Sequence, residues 1–141
     1  MFKKILIAYD GSEHALRAIK AAASLAEQYN SEVTVITVLD FATSGLGLSF
    51  DVGVIPQQVM DSVQDEAKKL LDEVVKEFGS RPVQTLTAYG HPAAEIIEES
   101  KKGYQLVVMG SRGLGELRGL IMGSVSDRVA HYVSCPVLII H

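Results

Sequence analysis

The feature that most constrains this chain is a regular alternation between two hydrophobic patterns. Five short, mostly apolar runs have the composition of strands buried on both faces. They occupy residues 3–10, 32–40, 82–90, 104–110 and 135–140. Between them, apolar residues recur at spacings of three and four, which is typical of amphipathic helices. These segments are 13–30, 57–78, 92–102 and 124–134. Strands that alternate with helices predict an α/β fold in which helices cover both faces of a parallel sheet.

Capping and turn residues support several of these boundaries. Ser12 is a suitable N-cap for the first helix, Pro92 suits the first turn of the third, and Gly79 suits a helix end. The segment 41–56 has no clear period and is predicted to be a long loop. The clearest apolar stripe belongs to the second helix. Its members are Val59, Val63, Ala67, Leu70, Val74 and Phe78.

Composition limits the classes of function. The chain has 141 residues, which suits a single domain, and its net charge of −4 comes with scattered Lys and Arg residues. This argues against binding to nucleic acid or to a strongly anionic membrane. The apolar run near the N-terminus, Ile5 to Tyr9, is too short for a signal peptide or a membrane span. The single cysteine, Cys135, fits a reducing compartment, so we expect a cytoplasmic protein.

The segment 110–124, GSRGLGELRGLIMGS, is the strongest candidate for a binding site. It contains five glycines and leads from the fourth strand into the last helix. Glycines let a ligand approach the main chain closely, and the helix start at Ser124 offers N–H donors and a positive dipole end. With the hydroxyls of Ser124 and Ser126, the segment predicts a phosphate cradle. The alternative is a flexible surface loop that happens to be rich in glycine.

Other candidate residues have simpler interpretations. Neither a P-loop nor a G-x-G-x-x-G sequence after the first strand is present. The four histidines have no metal-ligand spacing. Cys135 is predicted to be a buried, inert thiol, and Asp10, which precedes Gly11, is either a turn residue or a site residue. We therefore predict no catalytic residue and no metal-ligating residue.

The glycine spacing resembles a known family signature. GSRG, nine further residues and then GS match the G-x2-G-x9-G-[ST] signature of the ATP-binding branch of the universal stress protein family. The resemblance runs from end to end, through KKILIAYDGS, VTVITVLD, YGHPAAEII and GSVSDRVAHYVSCPVLII. It implies one domain over residues 1–141, with an open five-stranded parallel sheet in the order 3-2-1-4-5. This fold is called adenine nucleotide alpha hydrolase-like.

The resemblance also implies a set of nucleotide contacts. The first strand's end would face the adenosine, and the backbone of the second strand's end would bind the adenine edge. The glycine segment and the last helix would hold ribose and phosphates. These residues are Ala8, Tyr9, Asp10, Val38, Met109, Gly110, Arg112, Gly113, Gly123, Ser124, Val125 and Ser126. Ala8 is the weakest of them, since the family often has a small residue or proline there. ATP, with Mg²⁺, is the expected ligand, although AMP or a cyclic nucleotide would also suit the cradle.

The family's function and assembly follow from the same resemblance. It implies a nucleotide-dependent sensor or adaptor in the stress response, and a homodimer formed through the last strand at the sheet edge. One alternative is an enzyme, either a slow ATPase or one that handles an adenylyl group, with Asp10 and Glu116 as the acids to consider. The other is a dimerisation module that binds no nucleotide.

Overall fold

The computed structural model describes residues 1–41, 55–114, 119 and 121–141, and its elements follow the predicted alternation. The strands are β1 (Lys4–Ala8), β2 (Glu32–Leu39), β3 (Val83–Tyr89), β4 (Leu106–Gly110) and β5 (Val137–Ile140). The helices are α1 (Glu13–Tyr29), α2 (Gln57–Val75), α3 (Pro92–Ser100) and α4 (Ser124–Tyr132), and a short 3-10 turn, Lys76–Phe78, extends α2. No helix in the described part of the chain has the length and apolarity needed to cross a membrane.

The five strands form one parallel sheet in the order β3-β2-β1-β4-β5. This confirms the order 3-2-1-4-5. β1 lies at the centre, with β2 on one side and β4 on the other. Successive strands are therefore added toward one edge of the sheet from β1 to β3 and toward the other edge from β4 to β5, so the strand order reverses between β1 and β4. In open α/β sheets, ligands bind beyond the carboxyl ends of the strands at such a reversal.

The two faces of the sheet carry separate hydrophobic clusters. Because successive side chains of a strand point to opposite faces, Ile5 and Ile7 join one cluster and Leu6 joins the other. The first cluster packs under α1 and α2, and the second packs under α3 and α4. Helices therefore cover both faces, as predicted.

The predicted helix ends agree with the structure. The Ser12 side chain accepts a hydrogen bond from the N–H of Ala15 at 3.1 Å and caps α1. Pro92 occupies the first turn of α3. Gly79 ends the turn after α2 with a φ of 62°, a conformation that favours glycine.

Two predictions about burial were wrong. The buried side chains of α2 are Ala67, Leu71 and Val74, whereas Leu70, Val59 and Val63 of the predicted stripe are only half-buried. Cys135, predicted to be buried, is half-buried after the end of α4, which stops at Tyr132. Burial still raises the pKa of the Cys135 thiol, so the expectation of low reactivity stands.

Candidate functional site

A cavity of about 930 Å³ lies at the carboxyl ends of β1, β2 and β4, with α2 along one side. Its volume falls in the range of small-molecule binding sites, roughly 300–1,000 Å³. Eleven of the twelve predicted nucleotide contacts line it. They are Ala8, Tyr9, Asp10, Val38, Met109, Gly110, Arg112, Gly113, Ser124, Val125 and Ser126. The fold thus brings together residues that are more than 100 positions apart in the sequence.

Asp10 connects the first strand to the glycine segment. Its Oδ1 accepts a hydrogen bond from the N–H of Ser12 at 2.9 Å, and its Oδ2 accepts one from the N–H of Leu114 at 3.3 Å. A Cβ atom on Gly113 would lie 2.5 Å from Asp10 Oδ2, so glycine is what permits this close approach. Asp10 is therefore both the turn residue and a cavity residue, and the two interpretations of the sequence do not compete.

Gly110 has a different role from Gly113. A Cβ atom on Gly110 would lie 2.7 Å from the carbonyl carbon of His14 and 2.8 Å from the backbone nitrogen of Ala15. The start of α1 packs directly against this end of β4. Helix packing thus requires glycine at position 110, which also lines the cavity.

The two ends of the glycine segment are joined to each other and to the sheet. The N–H of Gly123 donates to the Ser111 carbonyl at 2.7 Å, and the N–H of Ser111 donates to the Ile140 carbonyl at 2.7 Å. The buried Ser126 hydroxyl contacts the carbonyls of Ser111 at 2.7 Å and Gly123 at 3.0 Å. This hydroxyl, expected to contact phosphate, therefore donates within the protein. Gly123, the one predicted contact that does not line the cavity, belongs to this clamp.

Three groups could receive an anionic ligand. Arg112 lines the cavity, and among the described residues its buried Nε has no hydrogen-bond partner. The N-cap of α4 is Gly123, which makes no side-chain capping bond, so the first N–H groups of that helix are not satisfied by a side chain. Ser124, at the first position of the helix, is exposed and lines the same cavity. Helix N-termini of this kind bind phosphate readily.

The end of β2 offers a different surface. The Ile36 carbonyl accepts a hydrogen bond from the N–H of Tyr9 at 2.9 Å, so the peptide of Ile36 faces β1. Backbone groups of a strand alternate in direction, and the peptide of Val38 therefore faces the same way, beyond the last residue of β1. The side chains of Ala8, Ile36 and Val38 make this part of the cavity apolar.

Tyr9 completes the floor near β1. Burial, followed by the charges of Glu73 and Asp10, raises the pKa of its phenol, which is therefore neutral at physiological pH. Its ring packs against the cluster under α1 and α2. Within the described ranges, no group of three or more His, Cys, Asp or Glu residues is arranged to hold a metal ion. Glu116, considered above as a catalytic acid, lies outside the described residues.

Comparison with known proteins settles the family. A family model, that of the universal stress protein family, matches residues 1–141. The universal stress protein YxiE of Bacillus subtilis is 35% identical over 147 residues, with 99% of both chains covered. The chain belongs to the universal stress protein family.

Solved structures agree with the universal stress protein fold. The hypothetical protein MJ0577 superposes with a TM-score of 0.84 and 27% identity, over 99% of this chain and 96% of that one. A universal stress protein described in complex with cAMP superposes with a TM-score of 0.70, over 99% and 97% of the two chains. At 21% identity, the second comparison shows a common fold.

Proposed function

We propose that this universal stress protein binds an adenine nucleotide, ATP with Mg²⁺, in the cavity at the carboxyl ends of β1, β2 and β4. It would act as a nucleotide-dependent sensor or adaptor, as a homodimer in the cytoplasm. One observation carries the proposal. Eleven residues from three distant segments, which the family resemblance implies as nucleotide contacts, line one cavity of about 930 Å³.

The chemistry of the cavity suits both ends of a nucleotide. At one end, the unpartnered Nε of Arg112, the close approach allowed by Gly113 and the start of α4 suit phosphate oxygens. At the other end, an apolar wall lies beside the peptide of Val38, which faces the space beyond the end of β1. This combination suits a base that needs both stacking and edge hydrogen bonds. The complex of a relative with cAMP supports an adenine nucleotide in this fold.

Mg²⁺ would bind together with the phosphates. This ion commonly keeps several waters and uses phosphate oxygens with one or two carboxylates. Although the sequence predicted no metal-ligating residue, Asp10 is the carboxylate that lies between β1 and the glycine segment, and it would serve as such a ligand through lone pairs not used by its two backbone hydrogen bonds. The ion would supply charge neutralisation for the phosphate chain.

The position of Asp10 supports the proposed sensor role. Its hydrogen bond to the N–H of Leu114 links the cavity to the glycine segment, where the side chains of Leu114 and Ile121 are exposed. A nucleotide that shifts Asp10 would therefore alter the position of the exposed Leu114 side chain, which a partner could contact.

The proposal is tested by identifying what the purified protein carries. The protein is purified without added nucleotide and denatured, and the released small molecules are analysed by mass spectrometry. A Gly113→Val variant places side-chain atoms against Asp10 Oδ2 and should release no nucleotide. Gly103→Val is the control, because Gly103 has a φ of 83° and open space around it, away from the cavity residues. It costs stability but should retain the nucleotide.

A second measurement is a titration of the purified protein with Mg-ATP at millimolar concentration. An adenine nucleotide released from the original protein and the control, but not from Gly113→Val, supports the proposal. The proposal would be refuted if the original protein released no nucleotide and also gave no saturable binding heat and no saturable amide chemical-shift change with Mg-ATP.

A further inference from the structure

Two aromatic rings stack at the end of β2, on the rim of the cavity. The ring centroids of Phe41 and Tyr89 are 6.0 Å apart and their planes differ by 1°, an offset parallel arrangement. The pairing of Leu39 with Tyr89 in the sheet, and the hydrogen bond from the N–H of Gly90 to the Leu39 carbonyl at 3.0 Å, set the relative position of the two segments. The stack is therefore built on the sheet itself.

The outer ring is also held from α2. The side-chain amide of Gln64 donates a hydrogen bond to the Tyr89 hydroxyl at 2.7 Å. Tyr89 is thus fixed at its backbone by β2 and at its hydroxyl by α2. Phe41 rests on a ring that has little freedom to move away.

Of the two rings, only Phe41 lines the cavity. It follows Val38 by three residues, which in extended chain is at most about 10 Å. The peptide of Val38 faces the space proposed for the adenine edge. A base bound there would lie within reach of the Phe41 ring, and the phosphates would lie at the opposite end, near Arg112 and α4.

We propose that Phe41, backed by Tyr89, is a base-recognition residue that contacts the purine ring and sets a preference for purine over pyrimidine nucleotides. This inference rests on the proposed nucleotide-binding function. The phosphate end of the cavity would bind the triphosphate of any nucleotide, so selection of the base must come from the other end. A purine offers a larger π surface to an aromatic side chain than a pyrimidine does, and contact between a base and an aromatic ring contributes substantially to nucleotide affinity.

Affinities for three probes separate recognition of the base from recognition of phosphate. The probes are Mg-ATP, Mg-UTP and magnesium tripolyphosphate, each titrated into the full chain. Phe41→Leu keeps an apolar side chain but removes the ring. It should bind Mg-ATP about 5- to 10-fold more weakly, since loss of base stacking typically costs this much or more. Its affinity for Mg-UTP should fall less, so that the preference for ATP over UTP shrinks; an unchanged ratio of the two affinities would overturn the purine preference. Its affinity for tripolyphosphate should stay within about 2-fold of the original, because that probe reports only the phosphate end. Tyr132→Leu, which alters an exposed aromatic residue outside the cavity lining, should change neither affinity.

A spectroscopic variant tests the contact itself. The chain contains no tryptophan, so Phe41→Trp places the one tryptophan at the proposed site, where it can be excited selectively over the five tyrosines. Mg-ATP should quench this fluorescence in a saturable manner, and tripolyphosphate should not. With Tyr89→Leu added, the backing ring is lost, and quenching by Mg-ATP should weaken while tripolyphosphate affinity stays unchanged.

The possible results bear on the two proposals differently. If the original chain binds Mg-ATP but Phe41→Leu binds it equally well, the inference about Phe41 is overturned and nucleotide binding stands. Equal losses of Mg-ATP and tripolyphosphate affinity would also overturn it, because they would mark Phe41 as a structural residue. If the original chain binds neither Mg-ATP nor tripolyphosphate, the proposed function and this inference both fail.

Discussion

At the scale of single residues, the two glycines nearest to β4 are constrained by different neighbours. Gly110 faces backbone atoms of His14 and Ala15, which cannot move without displacing α1. Gly113 faces the side-chain oxygen of Asp10, which can rotate away. The same residue type therefore serves helix packing at one position and the ligand cavity at the other.

This difference predicts that alanine at position 110 mainly lowers stability, whereas alanine at position 113 mainly weakens nucleotide binding. Gly110→Ala should lower the free energy of unfolding by about 1–3 kcal/mol, the usual cost of overpacking against atoms that cannot yield. Gly113→Ala should cost less than about 1 kcal/mol but weaken Mg-ATP binding, since the Asp10 carboxylate must shift. Urea unfolding and calorimetric titration measure the two effects. Equal losses of stability would contradict this assignment of roles.

The raised phenol pKa values of Tyr9 and Tyr104 predict how the stability of the fold responds to alkaline pH. Burial is the main cause that raises both phenol pKa values; nearby acidic groups add to it, and at Tyr104 so does a hydrogen bond with Glu99. A raised pKa means that the folded state holds its proton more tightly than the unfolded state does. The contribution of these protonated phenols to the free energy of unfolding is therefore fully present below about pH 10, and it is lost as the pH rises through the folded-state pKa values.

The measurement is the thermal midpoint between pH 8 and pH 11.5. The original chain should lose stability progressively above about pH 10, and Tyr9→Phe with Tyr104→Phe should flatten that decline. Tyr132→Phe is the control, because Tyr132 is largely exposed. A decline that is identical in all three proteins would show that these phenols do not govern it.

At the scale of elements, the start of α4 combines a structural hydroxyl and a cavity hydroxyl two residues apart. Ser126 Oγ bonds the carbonyls of Ser111 and Gly123, and Ser124 is exposed at the cavity. Ser126→Ala should lower the free energy of unfolding by about 0.5–1.5 kcal/mol, because the one hydroxyl proton shared between the carbonyls of Ser111 and Gly123 is lost, while each carbonyl keeps a backbone donor. Ser124→Ala should change stability by less than about 0.5 kcal/mol, yet weaken Mg-ATP binding.

Denaturant unfolding and nucleotide titration of the two variants separate these roles. Each serine variant is the matched control for the other. If Ser124→Ala were the more destabilised of the two, the hydrogen bonds assigned to Ser126 would not be what holds the loop ends together.

Much of the element structure could be predicted from local sequence, and the misses have physical reasons. Ser12 and Pro92 mark helix ends because capping depends on a few neighbouring residues. Leu70 and Leu71 are adjacent, and a 3.6-residue period does not decide which of them faces the sheet. The packing role of Gly110 was not predictable, because it depends on α1, almost 100 residues earlier, meeting the end of β4.

At the scale of the whole molecule, alternation of strands and helices predicts a parallel sheet but not the order of its strands. The order came from the resemblance to the family, and so did the set of nucleotide contacts, whereas the glycine segment was a candidate site from the sequence itself. With β1 between β2 and β4, residues near positions 9, 38 and 112 meet at one edge of the sheet. The order also places β5 at an edge, with its four residues only half-buried.

The edge position of β5 makes the proposed homodimer testable. The carbonyls of Pro136 and Ile140 accept hydrogen bonds from β4, so the backbone N–H of Ile139 faces away from the sheet. Ile139→Pro removes that donor from the free edge and should leave a folded monomer. Ile139→Ala loses most of the same side chain but keeps the N–H, and should still form a dimer. Sedimentation at micromolar concentration distinguishes the two. If the original chain sediments as a monomer, the proposed homodimer is refuted.

The most direct test of the central proposal is an amide chemical-shift titration of the ¹⁵N-labelled chain with Mg-ATP. We predict saturable shifts that cluster at Asp10, Val38, Phe41, Arg112 and Gly113, which line the cavity. A second cleft of about 680 Å³, which includes Lys20 and Arg81, provides an internal control and should not respond. Shifts centred on that second cleft, or no saturable shift at millimolar nucleotide, would contradict the assignment of the nucleotide to the carboxyl ends of β1, β2 and β4.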